Sequence, residues 1–176
     1  MDRNNYMKIL RDQDIFKNPV YKMPDRFVTR KTVKVIVENN KGEIALVTNP
    51  IHQLYLFPGG GAESDDLFKE AKREALEEIN YHIDIKKEIG TLEEFRNRDA
   101  KHYYTTYFLA VPIKTNITDL RTEEEKKNGL EAIWLKKDEV EKILAEQVKK
   151  VRIGEIGFYN TAFNIVRDEY FFTLVF

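Results

Sequence analysis

Four glutamates lie close together in the stretch EAKREALEE, and they are Glu70, Glu74, Glu77 and Glu78. On an α-helix these positions fall within an arc of about 100°, so each like-charged neighbour pair would cost roughly 0.2–0.5 kcal/mol. The arrangement makes sense if a cation lies among the carboxylates, since carboxylate oxygens are the ligands that hard divalent ions such as Mg²⁺ or Mn²⁺ prefer. The alternative is a solvated acidic helix face.

Three consecutive glycines, Gly59, Gly60 and Gly61, come shortly before these glutamates in the stretch FPGGGAE. Glycine allows a backbone carbonyl or amide to come close to a metal ion or a phosphate. A glycine run by itself is more often a flexible turn. Joined directly to an acid-lined helix, the run is more specific, and the two together indicate a site that binds a metal ion or a phosphate.

The segment that must position the glutamates is LFKEAKREALEEI, residues 67–79. It contains no glycine or proline and no β-branched residue before its last position, which predicts a helix. Ser64 or Asp65 could cap its first turn. An apolar stripe runs beside the glutamates and consists of Phe68, Ala71, Ala75 and Ile79. The helix is therefore expected to bury this stripe and to present the carboxylates along its margin.

Alternating and apolar runs predict strands elsewhere in the chain, at residues 31–40, 43–48, 53–57, 83–95, 102–113 and 130–135. The turn sequence NNKG predicts that the first two strands form a hairpin. Further helices are predicted at 136–150 and 155–172. Strands in hairpins with helices between them predict an α+β fold of the α/β/α sandwich type.

Composition limits the function classes. The chain has 176 residues, a formal net charge of -1 and no cysteine. A near-neutral charge does not favour a nucleic acid polymer or an acidic membrane as partner, and the absence of cysteine excludes disulfides and thiolate chemistry. No stretch approaches the roughly 20 apolar residues of a membrane span, and the first residues lack the layout of a signal peptide. We therefore expect a cytoplasmic protein.

The stretch from Gly59 to Tyr81 resembles the signature sequence of the Nudix hydrolases. The family pattern is a glycine, five residues, a glutamate, seven residues, Arg-Glu, an apolar residue, any residue, Glu-Glu, any residue, a glycine and an apolar residue. The matching positions are Gly59, Arg73, Glu74, Ala75, Glu77 and Glu78. Asp65, Asn80 and Tyr81 depart from the pattern, although Asn80 suits a left-handed helix cap.

The flanking sequence agrees with this resemblance. YLFPGG is similar to the family's entry into the glycine loop, with Tyr55 at the aromatic position, but the loop is apparently one residue shorter than in many members. The resemblance defines a core domain at residues 28–148. Residues 1–27 are expected to form an N-terminal extension packed on it, and residues 149–176 a C-terminal helical extension. We expect the aromatic segment 168–176 to pack on the core, and a homodimer contact is the alternative.

The resemblance implies a mixed β-sheet between helices and a hydrolase that cleaves the diphosphate bond of a nucleoside diphosphate linked to another group. The implied cofactor is Mg²⁺ or Mn²⁺, and the implied partner is a small nucleotide rather than a nucleic acid polymer. The implied metal ligands are Glu74, Glu77 and Glu78 with a backbone carbonyl of Gly59 or Gly60. Arg73 would orient the acids, and Asp65 would hold Arg73 in place.

The resemblance assigns catalysis to Arg73, Glu77 and Glu78, but it leaves the general base open. Glu77 is one candidate. The glutamate run at residues 123–125 is another, because some family members carry an extra acid in that region. A run of glutamates in a loop is alternatively just solvated.

Substrate contacts are predicted in the stretch FRNRDAKHYYTTYF, residues 95–108. Arginines suit phosphates and tyrosines can stack on a base, although the same pattern also occurs on ordinary surfaces. The candidate substrate-binding residues are Tyr55, Arg96, Arg98, Tyr103, Glu124 and Glu125. The proline and the tyrosine that mark ADP-ribose and diadenosine polyphosphate hydrolases are absent, which weakens those two assignments.

Two alternatives come from other functional classes. A Nudix-like module could bind a nucleotide or nucleotide sugar and signal to a partner without catalysis. The complete set of Glu74, Glu77 and Glu78 argues against this hypothesis, because binding alone does not need it. An isomerase of isopentenyl diphosphate, which has a related fold, is excluded because the cysteine that such enzymes use is absent.

Overall fold

The computed structural model describes residues 8–49, 52–115 and 130–176. Within those residues the elements in chain order are β1 (Ile9–Arg11), α1 (Asp12–Ile15), β2 (Val28–Val37), β3 (Glu43–Asn49), β4 (Leu54–Leu56), α2 (Leu67–Ile79), β5 (Tyr81–Arg96), β6 (Lys101–Thr115), β7 (Glu131–Lys136), α3 (Lys137–Arg152) and α4 (Tyr159–Val175). Every predicted strand and helix has a counterpart in this order. None of the helices in the described ranges has the length and apolar character needed to cross a membrane.

The strands form two sheets, with the orders β1-β5-β6-β2 and β4-β3-β7. β5 and β6 are an antiparallel pair, whereas β2 runs parallel to β6 and β1 runs parallel to β5. In the second sheet β3 is antiparallel to both of its neighbours. The sheets are therefore mixed overall, as expected.

The prediction that residues 31–40 and 43–48 pair as a hairpin is wrong, because β2 and β3 belong to different sheets. The turn itself is present, with Gly42 at a φ of 75°. Beyond the turn, the described residues show only an isolated bridge between the two segments, from Glu38 to Ile44. β3 has both edges filled by β4 and β7. The outer edge of β2 is covered by the glycine loop, because Val33 N donates to Gly60 O at 3.0 Å.

Helices cover the sheets on both sides, which confirms the predicted sandwich. Along β2, Val33, Val35 and Val37 pack in one cluster with Ala71 and Ala75 of α2. The other cluster includes buried side chains of α3 and α4, among them Leu144, Phe163, Phe171 and Phe172. The aromatic C-terminal segment thus packs on the core, as we favoured. Of the apolar stripe predicted on α2, only Phe68 is exposed.

Candidate active site

Both ends of α2 are fixed by local contacts. Its N-terminus is capped by the side chain of Asp66, which accepts a hydrogen bond from Lys69 N at 3.0 Å. The prediction that Ser64 or Asp65 provides this cap is therefore wrong by one or two positions. At the other end, Asn80 adopts a φ of 60°, which confirms the predicted left-handed cap. The acidic helix is thus held at a fixed position below the glycine loop.

Arg73 explains how α2 tolerates its neighbouring carboxylates. Its guanidinium donates hydrogen bonds to Glu70 at 3.0 Å, to Glu74 at 2.6 Å and to Glu77 at 2.7 Å. It also donates to the carbonyl oxygen of Gly61 at 3.1 Å. A planar guanidinium can serve several acceptors at once in a fixed geometry. Arg73 therefore orients three acids and ties them to the glycine loop.

Asp65 does not hold Arg73, contrary to expectation. Its side chain is 93% exposed and pairs with Lys31 Nζ at 2.7 Å, and this hydrogen bond lowers the pKa of Asp65. Glu70 contacts Arg73 instead, from one turn earlier on the helix, and accepts a further hydrogen bond from Ser64 Oγ at 2.6 Å. That bond is the main cause of the lowered pKa of Glu70. Because Asp65 precedes the helix cap, its side chain turns toward β2.

Glu74 lies directly against the glycine loop. It is only 7% exposed, and this burial raises its pKa. A Cβ atom on Gly60 would lie 2.8 Å from Glu74 Oε1. The backbone can approach the carboxylate this closely only because residue 60 is a glycine.

Gly59 contributes a backbone amide and a backbone carbonyl at the same place. Its φ of 137° is unfavourable for other residues, and a Cβ atom there would overlap Val33 O. The amide of Gly59 donates to Glu78 Oε2 at 2.6 Å. The neighbouring carbonyls of Pro58 and Gly60 bond to β2, whereas the carbonyl of Gly59 accepts no hydrogen bond within the described part of the chain.

The donor groups at this point fit a hard divalent cation, although the side chains alone do not complete a site. No three acidic or histidine side chains among residues 8–49, 52–115 and 130–176 are grouped to hold a metal ion. Three of the glutamates, Glu70, Glu74 and Glu77, bind Arg73. A site here needs the carboxylates of Glu74 and Glu78 together with a backbone carbonyl of the glycine loop. Burial of Glu74 supports the fit, since a nearby cation offsets the cost of burying a carboxylate.

Two cavities share Gly59, Lys34 and Asn164 in their walls. The larger has a volume of about 420 Å³, and six apolar or aromatic residues line part of it. These are Val47, Leu54, Leu56, Phe57, Leu130 and Phe158, with His52, Asn49, Thr161 and Glu78 as polar additions. The smaller has a volume of about 210 Å³ and is lined by Arg30, Thr32, Arg96, Tyr103, Asn160, Arg167 and the glycine run.

The structure brings two of the predicted substrate residues to the smaller cavity. Arg96 and Tyr103 both line it, and the Arg96 guanidinium lies 4.4 Å from the centre of the Tyr103 ring. Arg98 lines neither cavity, because it pairs with Asp99 at 2.8 Å in the turn that follows β5. Glu124 and Glu125, like the rest of the run at 123–125, lie outside the described residues.

Tyr55 is also away from both cavities. β4 alternates, so Leu54 and Leu56 face the larger cavity, and the side chain of Tyr55 packs against the core under α3 and α4. Its backbone exchanges hydrogen bonds with the Gln147 side chain, at 2.8 Å and 2.9 Å. The aromatic residue at this position therefore packs on the core, and its role as a substrate contact stays a prediction.

The sequence analysis misses the residues that connect the glycine loop to the rest of the molecule. Lys34 is 6% exposed and donates from Nζ to Phe57 O at 2.6 Å. The backbone amide of Phe57 is also bound, since Phe57 N donates to Asp168 of α4 at 2.8 Å. A lysine within the apolar run of β2 and an Arg-Asp pair within an apolar helix are the signals that could have identified these contacts.

Comparisons with known proteins identify the family and the fold. Residues 28–153 match the NUDIX domain family. A NUDIX hydrolase from Nitrosomonas europaea has a similar fold, with a TM-score of 0.56, 16% sequence identity, and coverage of 81% of this chain and 89% of that chain.

A mutator MutT protein from Bacillus halodurans is also similar in fold, with a TM-score of 0.51, 20% identity, and coverage of 69% and 79% of the two chains. No curated protein matches the chain significantly. Since the family match runs from the start of β2 past the end of α3, and so contains the glycine loop and the acidic helix, this chain belongs to the Nudix family.

Proposed function

We propose that this protein is a metal-dependent pyrophosphohydrolase that cleaves the diphosphate bond of a nucleoside diphosphate linked to another group. Membership of the Nudix family supports a hydrolase of phosphoric anhydrides. The observation that carries the proposal is the meeting of three features at Gly59: the acids of α2, a close-approach glycine backbone, and the two cavities. A diphosphate that spans the cavities would lie beside these acids.

Glu74, Glu78 and the carbonyl of Gly59 would hold a Mg²⁺ or Mn²⁺ ion. Such an ion neutralises phosphate oxygens and acidifies bound water, which is the chemistry that hydrolysis of a phosphoric anhydride needs. The chain itself keeps the acids in place, since Arg73 contacts Glu74 and the amide of Gly59 contacts Glu78. Arg73 therefore acts on the reaction by positioning the carboxylates.

Glu77 is our candidate for the group that accepts a proton from the attacking water. Its side chain is partly exposed, and its Oε2 atom is bound by Arg73 at 2.7 Å. The other oxygen, Oε1, accepts no hydrogen bond from any described residue. A carboxylate that is held at one oxygen and open at the other is suited to act as a base.

The larger cavity would receive the nucleoside. Its apolar walls suit a base, and the rings of His52 and Phe158 lie with their centres 5.0 Å apart at its edge. Lys34 lines both cavities and supplies a positive charge where the diphosphate would pass between them. Its amine uses one donor on Phe57 O, and a lysine amine has three donors, so others can bind a phosphate.

The test is a panel of nucleoside diphosphate derivatives assayed with Mg²⁺ and with Mn²⁺, with identification of the products. We expect a nucleoside monophosphate and a phosphorylated second product. Glu78→Gln should reduce turnover by about 100-fold or more. Glu141→Gln, which removes an exposed glutamate from α3, is the matched control and should not change it.

Two results would contradict the proposal. One is binding of nucleotides without hydrolysis in the presence of either metal, which indicates a sensor module. The other is full turnover by a correctly folded Glu78→Gln variant, which would move the chemistry away from α2.

A further inference from the structure

The smaller cavity is strongly cationic. Arg30, Lys34, Arg96 and Arg167 line it, and no acidic side chain among the described residues does. The larger cavity differs, since its walls include the carboxylate of Glu78 and several apolar side chains. A concentration of positive charge in one concave surface favours an anionic ligand.

Three elements build this cavity. β2 contributes alternate residues, Arg30, Thr32 and Lys34, which point to one face because strand side chains alternate. The β5–β6 pair adds Arg96 and Tyr103 to the same wall. α4 closes it with Asn160, Asn164 and Arg167, and this helix lies after the segment that matches the family.

The carboxylates behind the cavity do not balance its cations. Glu94 serves two guanidiniums at once, with contacts of 3.0 Å to Arg96 and 2.6 Å to Arg167. Asp168 adds one further carboxylate, 3.9 Å from Arg167. Lys34 bonds to a backbone carbonyl, and within the described ranges Arg30 is in no ion pair. The wall therefore holds more positive than negative charge, and an anion in the cavity would compensate it.

Arg96 gives a second, independent indication. It is only 3% exposed, and its Nε atom has no hydrogen-bond acceptor among the described residues. Burial lowers its pKa, and the charge of Arg167 adds to that effect although Glu94 opposes it. Buried guanidiniums are normally fully paired, so the incompletely paired Arg96 leaves positive charge at the cavity wall that its protein partners do not fully compensate.

We propose that the smaller cavity is an anion site that binds a phosphate of the substrate outside the bond that is cleaved, and that α4 helps to build it. The proposal rests on the proposed function. Gly59 and Lys34 line both cavities, so a nucleotide in the larger one reaches the smaller one by passing the glycine loop. The volume of about 210 Å³ exceeds the roughly 30 Å³ of one water molecule several-fold, which is enough for a phosphate.

The substrate class follows from this site. Suitable substrates carry a phosphate beyond the cleaved diphosphate bond, either as the terminal phosphate of a nucleoside triphosphate or on a phosphorylated second group. A nucleoside diphosphate linked to a neutral sugar leaves the cations unpaired and should be a poorer substrate.

Binding of inorganic phosphate to the metal-free protein tests the site without turnover. In EDTA, calorimetry or phosphorus NMR should detect binding to the wild type and to Glu78→Gln. Arg30→Gln should weaken it by about tenfold or more, and Arg96→Gln should also weaken it. Arg26→Gln removes an exposed arginine that lines neither cavity and is the control. Since Arg30 is exposed, its variant keeps the test valid if the buried Arg96 variant fails to fold.

Kinetics with matched substrates then identify the source of the phosphate. A nucleoside triphosphate, a nucleoside diphosphate with a phosphorylated sugar and one with a neutral sugar are compared. Arg30→Gln should lower kcat/KM for one of the two extra-phosphate substrates about tenfold more than for the neutral-sugar substrate. Whichever of the two is affected names the source.

The outcomes separate the two proposals. Phosphate binding that Arg30→Gln leaves unchanged, or that Arg26→Gln weakens equally, overturns the anion site. Equal losses for all three substrates also overturn it while leaving the hydrolase intact. Failure to hydrolyse any diphosphate, with phosphate binding that still depends on Arg30, overturns the proposed function and supports the anion site.

Discussion

At the scale of single residues, the most connected side chain of the acidic helix is Arg73. It holds Glu70, Glu74 and Glu77 at hydrogen-bond distance, and Ser64 in turn holds Glu70. The family pattern implies that the residue at position 65 holds this arginine in place, but here Asp65 contacts Lys31. The loop geometry has moved this role by five positions, onto the first turn of α2.

This reassignment predicts which pair of residues is energetically coupled. Glu70→Gln and Arg73→Gln should be strongly non-additive in turnover, because either change alone already releases the other acids. Asp65→Asn combined with Arg73→Gln should be additive, since the two side chains have different partners. Steady-state kinetics of both double-mutant cycles measure this. Coupling between Asp65 and Arg73 of the same size as between Glu70 and Arg73 would show the assignment to be wrong.

The buried carboxylate of Glu74 predicts a pH dependence of stability. Its pKa is raised by burial, so the folded state favours the protonated form more than the unfolded state does. The metal-free protein therefore loses stability as the pH rises through this pKa, starting above about pH 4.3. Glu74→Gln cannot ionise, so its Tm in EDTA should rise relative to the wild type across that range.

Thermal denaturation of both proteins in EDTA from acid to neutral pH measures this difference. Addition of Mg²⁺ should stabilise the wild type and leave the variant nearly unchanged, which separates a metal-linked carboxylate from a merely buried one. A Tm difference that stays constant with pH would contradict the expectation.

At the scale of elements, the close contact between the glycine loop and α2 depends on the absence of a side chain at residue 60. Gly60→Ala should push the loop away from the Glu74 carboxylate, because the added Cβ would lie 2.8 Å from Oε1. We expect turnover to fall by about tenfold or more, with weaker Mn²⁺ binding in a titration. Gly157→Ala, where a Cβ meets nothing within 4 Å, is the control. Equal activities of the two variants would show that the approach is not required.

The elements also show what local sequence can predict. The bounds of α2 and its Asn80 cap follow from neighbouring residues, so both were predictable. The pairing of β2 was not predictable from local sequence. Its outer edge is occupied by the glycine loop, and that contact forms only in the folded chain. The site is likewise only partly predictable. The signature glutamates lie in one short segment and could be identified from it. The contribution of α4 could not, because it depends on contacts such as that between Asn164 and Arg96, 68 positions apart.

At the scale of the whole molecule, α4 and β2 hold the glycine loop from two sides. Asp168 accepts hydrogen bonds from Phe57 N and from the hydroxyl of Tyr107, and Lys34 binds Phe57 O. The backbone that precedes Gly59 is therefore fixed by an element far away in the chain. Its position follows from docking of the final helix.

This coupling predicts the effect of Asp168→Asn. The neutral amide is a weaker acceptor than a carboxylate, so the amide of Phe57 should exchange its hydrogen at least about tenfold faster. Turnover should fall as well, although Asp168 is remote from the acids. Asp138→Asn on the exposed start of α3 is the control. Unchanged exchange at Phe57 would show that the loop does not depend on α4.

The contact between Asp168 and Phe57 also has a consequence for how the protein becomes active during synthesis. The two residues are 111 positions apart, which at roughly 5–20 residues per second is a delay of about 6–20 s on the ribosome. During most of that interval the signature segment has been made but its glycine loop lacks the partner that fixes it. A nascent chain can therefore form the acidic helix early while its glycine loop is not yet fixed by α4. Under the proposed function, the site is complete only after the final helix has docked.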